Sequence, residues 1–327
     1  MEQNSVQTTP ITMEQNSAHT TPTTMERELD EMQYMGVIGI YKESFKLIFN
    51  LRKIFARITL TLILPLSIIF LAQKHVSDLL YHKIHFFHNL GLPAYIALHL
   101  LYFILTLLFS LPSTSAVIYT VACHYASLDL SFKKITRAVP RVLTRLAVAF
   151  VCVVLALAAY NIPFGALYYV CWGRPIFMFI LVMHTMGVVQ LIVTCQLAVV
   201  VSVLEDRGFG ALGKGNRLTE WRMLELCYVL GVVDAAILGV NVGFMFLVMW
   251  GGSRHVAMEV GLGAVCVVVV TLAILLGVVA QTVAYFVCKA DKEESVDRAV
   301  LAERLGKYEG SSAVPKDDVQ TEEGYRV

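Results

Sequence analysis

The sequence VVSVLEDRGFGALGKGNRLTEW, residues 200–221, begins as the end of a long apolar run and turns abruptly into charged residues and glycine. It lies between two of the most apolar stretches of a chain that is 57% hydrophobic. Its charged residues are Glu205, Asp206, Arg207, Lys214, Arg217 and Glu220. We interpret it as the point where one membrane-spanning helix ends at the membrane surface and a basic segment leads to the next.

The composition around this stretch indicates an integral membrane protein. Only 16% of the 327 residues are charged, whereas soluble domains carry about 25%. No Lys, Arg, Asp or Glu occurs in residues 84–128, 146–173, 175–204 or 260–288. Because about 20 apolar residues cross a bilayer as a helix, each of these runs is long enough to span it.

Six spans account best for the apolar runs, and they predict an all-α helical membrane bundle. We place them at residues 54–72, 93–111, 142–160, 175–204, 223–250 and 256–288. The run 84–128 is too long for one span, since it would form a helix of about 68 Å against a hydrocarbon core of about 30 Å. Pro112 lies in its middle. The second half, 113–128, is either a continuation to the interface or a separate short or re-entrant segment.

The distribution of Lys and Arg predicts the orientation of the spans. Segments rich in Lys and Arg alternate along the chain with segments that have few of them, and apolar runs separate the two kinds. Loops that carry positive charge near the ends of spans usually face the cytosol. The basic-rich segments contain Lys42, Lys46, Arg52, Lys53 and Arg57; Lys133, Lys134, Arg137, Arg141 and Arg145; Arg207, Lys214, Arg217 and Arg222; and Lys289, Lys292, Arg298, Arg304 and Lys307. We therefore expect both termini in the cytosol, in the plasma membrane or an endomembrane.

The two ends of the chain are predicted to be tails outside the membrane domain at 36–290. Residues 1–35 contain a tandem dodecamer, MEQNSVQTTPIT followed by MEQNSAHTTPTT, which is too polar to bury a core. Residues 291–327 form a cytosolic tail. Within it, helical spacing predicts a short amphipathic helix from Val296, Val300, Leu301, Leu305 and Tyr308.

Three segments, which we call the basic approaches, precede the first, third and fifth spans at 43–58, 130–146 and 200–221. Apolar residues recur at helical spacing in the first two: Phe45, Ile48, Phe49, Phe55 and Ile58, then Phe132, Ile135, Val139, Val142 and Leu146. An apolar face beside a basic face is typical of a helix in the membrane interface. We expect these approaches to bind anionic lipid headgroups through Lys46, Arg52, Lys53, Lys133, Lys134, Arg137, Arg141, Lys214 and Arg217.

The two acidic residues that end the fourth span form a further candidate site. Carboxylates at a helix C-terminus oppose the helix dipole. Glu205 or Asp206 is therefore expected to pair with a basic residue of one of the basic approaches. The alternative is a solvated turn.

Three stretches carry a family resemblance: ESFKLIFNLRKIFARITLTLILPLSIIFLA (43–72), FSLPSTSAVIYTVACHY (109–125) and VVSVLEDRGFGALGKGNRL (200–218). They resemble a plant family of six-span membrane proteins without an established activity. The third stretch also resembles the membrane domain of bacterial glycerophosphodiester phosphodiesterases, where Ser usually stands at the position of Gly215. The resemblance covers roughly residues 41–289. It implies a membrane domain without the catalytic barrel, and hence no phosphodiesterase activity.

The sequence contains no motif of a known enzyme class, and we expect no cofactor, no metal and no nucleic-acid partner. His82, His85 and His88 are spaced by three with His75 nearby, but they are better explained as interfacial residues than as a metal site. The seven cysteines form no CxxC pair, and most lie in apolar runs, which favours packing roles.

Asp234 is the candidate binding residue inside the spans. A carboxylate at that depth costs about 2.5–3.5 kcal/mol on insertion scales, so we expect it to face the bundle interior. His184 is the preferred partner, because both residues are expected well within the hydrocarbon layer. Further candidates are Asn241, Gln190, His99 and Gln281. Asp234 is either a protonated packing residue or a proton- or cation-coupled site.

Three classes of function remain open. The first is a membrane scaffold or lipid-interacting protein, alone or as a homo-oligomer. The second is a small-solute or ion transporter or channel with Asp234 in its pathway, and the third is a lipid-handling enzyme. A polar cavity through the bundle would favour transport over a scaffold.

Overall fold

The chain folds as a bundle of helices. The computed structural model describes residues 34–73, 91–126, 128, 132–205, 210–246, 256–292, 303 and 305, which contain no strand. The all-α prediction is thereby confirmed. In chain order the helices are α1 (Val37–Asn50), α2 (Arg52–Gln73, with a π-helical turn at Thr59–Ile63), α3 (Gly91–Tyr125), α4 (Phe132–Cys171), α5 (Ile176–Leu204), α6 (Ala211–Thr219), α7 (Met223–Phe244) and α8 (Val256–Asp291).

Six of these helices, α2, α3, α4, α5, α7 and α8, contain segments long and apolar enough to cross a membrane. The six-span prediction is confirmed. Helix α3 runs through Pro112 without a break over 35 residues, or about 52 Å, so 113–125 continues the second span. Next to the proline, the Ser113 and Ser115 hydroxyls donate to the carbonyls of Ser110 and Leu111 at 2.9 and 2.8 Å. Serine hydroxyls commonly satisfy backbone carbonyls near a proline in a membrane helix.

The hydrophobic core lies at one end of the bundle, which we call the basic end. There α1, the start of α4 and α6 meet the last turns of α3, α5 and α8. Burial increases along helix α5 towards the basic end. Val193 to Leu204 are mostly buried, whereas Met178 and Phe179 near the start of the helix are 63% and 66% exposed.

Helix α1 packs on α7 and α8 through a face that the sequence pattern did not indicate. Ile40, Ser44 and Leu47 are buried at spacings of four and three, which places them on one side of the helix. Phe45 and Phe49, predicted to lie on the apolar face of an interfacial helix, are 47% and 71% exposed. The helix thus has two apolar faces, of which the smaller packs on the bundle and the larger, aromatic one points outward.

The second basic approach is continuous with the third span. Its apolar row, predicted to face the membrane interface, is instead packed in the protein core, with Ile135, Val139, Val142 and Leu146 buried and Phe132 half-buried. Pro140 lies within α4 on an exposed face and does not interrupt the helix.

Helix α6 lies against the buried end of α5 at Gly215. A Cβ atom at this position would come within 2.9 Å of the Thr194 carbonyl oxygen and 3.1 Å of the Ala198 nitrogen. Glycine is therefore required by a close approach of two helix backbones.

Several predicted features lie outside the described residues. They include the tandem dodecamer, the four histidines at 75–88 and Asp206. Most of the predicted helix in the C-terminal tail is also outside them. Of that helix, Leu305 is helical and buried in the core at the basic end.

Candidate functional site

Glu205 is the centre of a charged cluster at the basic end. It caps the C-terminus of α5, and its side chain is only 4% exposed. Its two oxygens are shared among three donors: Lys214 Nζ lies 2.7 Å from Oε2, while Lys289 Nζ and the Tyr285 hydroxyl lie 3.0 and 2.7 Å from Oε1. The cluster therefore joins α5, α6 and α8.

The partners of Glu205 keep its carboxylate ionised. Burial by itself raises the pKa of a carboxyl group. In Glu205 this effect is outweighed by hydrogen bonds from Lys214 and Tyr285 and by the charge and hydrogen bond of Lys289, which lower its pKa to about 2. Lys214 and Lys289 together exceed the single negative charge of Glu205, so the cluster retains a net positive charge.

The cluster confirms that Glu205 pairs with a residue of a basic approach, namely Lys214. It also corrects one headgroup prediction, because the Lys214 side chain is only 17% exposed and is committed to Glu205. Tyr285 and Lys289 were not predicted as partners. Their spacing of four residues at the end of the sixth span was the available signal, since such residues share a helix face.

Arg222 makes a second link between helices at this end. It precedes α7, and its guanidinium donates to the Met35 carbonyl at 2.8 Å, to Glu225 at 3.3 Å and to Asp291 at 3.3 Å. These contacts tie the segment before α1 and the end of α8 to the start of α7.

The outer surface of the basic end carries exposed cations. The exposed basic residues on α1, α2, α4 and α6 are Lys42, Lys46, Arg52, Lys53, Arg57, Lys134, Arg137 and Arg217. Six of the predicted headgroup ligands are among them. Lys133 and Arg141 belong to α4, but their side chains lie outside the described residues.

Asp234 does not occupy the position predicted for it. Its side chain is exposed on α7, and its Oδ2 accepts a hydrogen bond of 2.9 Å from Gln196 Nε2 of α5 instead of bonding to His184. Depth explains the difference. Asp234 lies about 16 Å from the start of α7 and Gln196 about 12 Å from the end of α5, both counted from the basic end, whereas His184 lies about 30 Å from it.

Gln281 extends this polar contact to a third helix. It is 7% exposed on α8, and its Nε2 donates to the backbone carbonyl of Gln196 at 2.7 Å. The amide oxygen of Gln196 is buried and has no hydrogen-bond partner among the described residues. A buried acceptor left without a donor costs about 1–3 kcal/mol. Gln196 and Gln281 also line a groove of about 280 Å³ between α3, α4, α5 and α8.

The other candidate residues within the spans lie apart from this contact. His184 Nδ1 is 2.6 Å from the Tyr168 hydroxyl, and its ring stacks on Tyr160 with centroids 5.5 Å apart. Asn241 donates to the Ile237 carbonyl of its own helix at 2.8 Å. Gln190 is exposed on α5. The predicted set therefore does not form one site.

Comparison with known proteins gives one match, a family model. No curated protein and no solved structure matches the chain. The family model covers residues 25–324, which include all six spans, both charged links and the contact between Asp234 and Gln196. The chain therefore belongs to the family described as domain of unknown function DUF8558.

Proposed function

We propose that this multi-pass membrane protein is a scaffold that binds anionic lipid headgroups at its basic end. The observation that carries the proposal is the outer surface of α1 with the start of α2. There Phe45 and Phe49 are exposed beside exposed Lys42, Lys46 and Lys53. A helix that binds an anionic membrane typically inserts aromatic rings into the interface. Its neighbouring cations contact the lipid phosphates.

The packing beneath this surface supports a scaffold role. Ile40, Ser44 and Leu47 fix α1 on the bundle, and the Glu205 cluster fixes α6. The exposed cations therefore belong to helices whose positions are fixed by packing. Each cation close to an anionic leaflet contributes about 1 kcal/mol, so several in one surface give a selective preference for such lipids.

The test compares two sets of substitutions that each remove three positive charges. Purified full-length protein is incubated in detergent with equimolar phosphatidylserine and phosphatidylcholine, and bound lipid is counted by native mass spectrometry. We expect Lys42→Gln, Lys46→Gln and Lys53→Gln together to lower the preference for phosphatidylserine at least threefold. The control triple, Lys74→Gln, Lys83→Gln and Arg174→Gln, should leave it unchanged. Equal effects of the two triples, or no preference in the unsubstituted protein, would refute the proposal.

The proposed orientation places the basic end and both termini in the cytosol, where anionic lipids are concentrated. Cysteines introduced at the exposed positions Asn50 and Trp172 should react with an impermeant reagent from opposite sides of sealed vesicles. Asn50→Cys should be modified only when the cytosolic face is accessible. Reaction of both from the same side would contradict the six-span topology, and exchanged sides would contradict the orientation.

A second candidate function is small-solute or ion transport through Asp234. The contact of its carboxylate with Gln196 within the spans favours this candidate, because intramembrane acids often belong to ion or proton pathways. Proton flux into vesicles containing the protein should then fall in Asp234→Asn while the protein remains folded. Flux equal to that of empty vesicles in the unsubstituted protein would exclude proton transport.

The resemblance to the plant six-span proteins and to the bacterial membrane domain remains a prediction. A relation to the plant six-span proteins or to the bacterial membrane domain would add no catalytic group to the chain, and we propose no enzymatic activity. The proposed lipid-binding role depends on the surface of α1 and not on that resemblance.

A further inference from the structure

A groove within the spans is a candidate binding site separate from the basic surface. Its walls come from α3, α4, α5 and α8, and its volume is about 280 Å³. Phe150, Val153 and Leu157 supply the wall on α4. Because these side chains belong to a membrane-spanning segment, a ligand in the groove must come from the hydrocarbon region of the bilayer.

The size of the groove restricts the ligand. Pockets for small molecules commonly measure about 300–1,000 Å³, and this groove lies just below that range. It is suited to one acyl or alkyl chain and too small for a fused-ring or two-chain lipid. The predominantly apolar lining excludes a charged ligand.

The polar residues of the groove determine which headgroup it accepts. The amide nitrogens of Gln196 and Gln281 already donate hydrogen bonds, to Asp234 and to the Gln196 carbonyl. The amide oxygen of Gln196 is the acceptor that has no partner among the described residues. Because its nitrogen is bound to Asp234, the Gln196 amide presents its oxygen as the remaining acceptor. A ligand that contacts Gln196 must therefore supply a hydrogen-bond donor.

We propose that this groove binds a neutral single-chain lipid with a free hydroxyl group, of the long-chain alcohol type. The hydroxyl donates to the amide oxygen of Gln196, and the chain lies along Phe150, Val153 and Leu157. This site does not rest on the headgroup proposal, since its ligand is uncharged and its residues differ from those of the basic surface. Removal of the cations on α1 should leave it unaffected.

The first experiment uses a long-chain alcohol that carries a photoreactive diazirine in its chain. The full-length protein is labelled in neutral phosphatidylcholine vesicles, in competition with unlabelled alcohol or with the methyl ether of that alcohol. The ether has the same chain but no hydrogen to donate. We expect the alcohol to compete at least tenfold better than the ether, with labelled peptides from α4 and α5. Equal competition by the two compounds would overturn the proposal.

Two neighbouring substitutions locate the binding site. Val153→Trp fills the groove, whereas Val154→Trp adds the same side chain at a position of α4 that is 40% exposed and does not line the groove. Labelling should fall at least fivefold in Val153→Trp only. Equal labelling of the two variants would mean that the alcohol binds elsewhere.

A variant of Gln196 tests the hydrogen bond without filling the groove. Gln196→Met keeps the length of the side chain and removes its amide. We expect the alcohol and the ether to compete equally in this variant, while total labelling remains within about twofold. Asp234→Asn can still accept from Gln196 and should retain the preference for the alcohol, whereas Asp234→Leu should lose most of it. An undiminished preference in Gln196→Met would refute the role of the amide even if Val153→Trp does not fold.

Discussion

The two ends of the bundle are built from the same helices but are held together differently. At the basic end, α5 contacts α6 at a glycine and is bound to α8 through Glu205. At the opposite end, near the turn between α4 and α5, Ile162, Tyr169 and Trp172 are 71%, 89% and 77% exposed. Away from the basic end, a small buried cluster of Leu71, Phe244, Cys266 and Val270 lies between the described helices.

This difference follows from what covers each part. Lipid chains are as apolar as leucine, so the hydrophobic effect does not drive helices together inside the bilayer. Apolar side chains on the spans can therefore face lipid. At the basic end α1 and α6, which lie outside the spans, cover the ends of the membrane helices, and Leu197, Val201 and their neighbours are buried by protein. The comparison predicts that substitutions at the basic end are more destabilising than similar ones at the opposite end.

The largest effect is expected from Glu205→Gln. This substitution leaves Lys214 and Lys289 close together without their carboxylate, and the loss of one partner of a buried ion pair costs about 3–5 kcal/mol. The melting temperature of the purified protein in detergent measures the effect. Glu225→Gln is the matched control, because Glu225 also pairs with a basic residue but its side chain is 46% exposed, and it should cost less than about 1 kcal/mol. Equal losses of stability in the two variants would show that the buried ion pair of Glu205 and the exposed ion pair of Glu225 contribute alike.

The pH dependence of stability reports the same cluster. The pKa of Glu205 is lowered from its usual 4.5 to about 2 in the folded chain, so the unfolded chain binds the proton more readily. The resulting stabilisation, about 3 kcal/mol, is complete above pH 4.5 and is lost as the pH falls toward 2. We expect Glu205→Gln to lack this component, so the two melting curves should converge in acid. Parallel pH profiles of the two proteins would contradict the assignment.

The next effect concerns the close approach of α6 to α5. Gly215→Ala places a methyl group against the backbone at Thr194 and Ala198, and we expect it to destabilise the protein by about 1–3 kcal/mol. Gly213→Ala, on the same helix, has open space in front of the glycine and should be neutral or stabilising by up to about 1 kcal/mol. The melting temperatures of both variants measure these effects. A Gly215→Ala protein as stable as Gly213→Ala would show that α6 is not closely packed.

The smallest effect is expected at the opposite end. Tyr168→Phe removes the hydrogen bond to His184 and should cost about 0.5–1.5 kcal/mol. Tyr169→Phe is the control, since Tyr169 is 89% exposed. A loss from Tyr168→Phe as large as that from Glu205→Gln would show that both ends contribute equally to stability.

The sequence was sufficient for the fold because the spans depend on long-range averages of hydropathy and charge. All six spans and the apolar row of Ile135, Val139 and Val142 could be predicted from such patterns. Which apolar face of α1 packs on the bundle could not be predicted, because Phe45 and Phe49 are as apolar as the residues that pack, and lipid accepts them equally well. Periodicity shows that a face is apolar but does not show whether protein or lipid covers it.

The candidate sites were less predictable because they depend on which helices are neighbours. Lys214 could be proposed for Glu205 because the two are close in sequence, but Lys289 comes from the last span. The pairing of Asp234 with His184 was expected because both lie within the hydrocarbon layer, but depth counted from the basic end favours Gln196. The steric need for glycine at position 215 becomes visible only when the α5 backbone is placed beside it.

The bond between Glu205 and Lys289 also sets an order of events during synthesis. The two residues are 84 positions apart, and ribosomes add about 5–20 residues per second, so roughly 4–17 s separate their appearance. Throughout that time Lys214 is the only one of the two lysine partners of Glu205 that has been synthesised, and α5 has emerged without α8. The charged cluster can close only after the final span has left the ribosome. Assembly of the basic end is therefore a late step that reports the completion of the whole membrane domain.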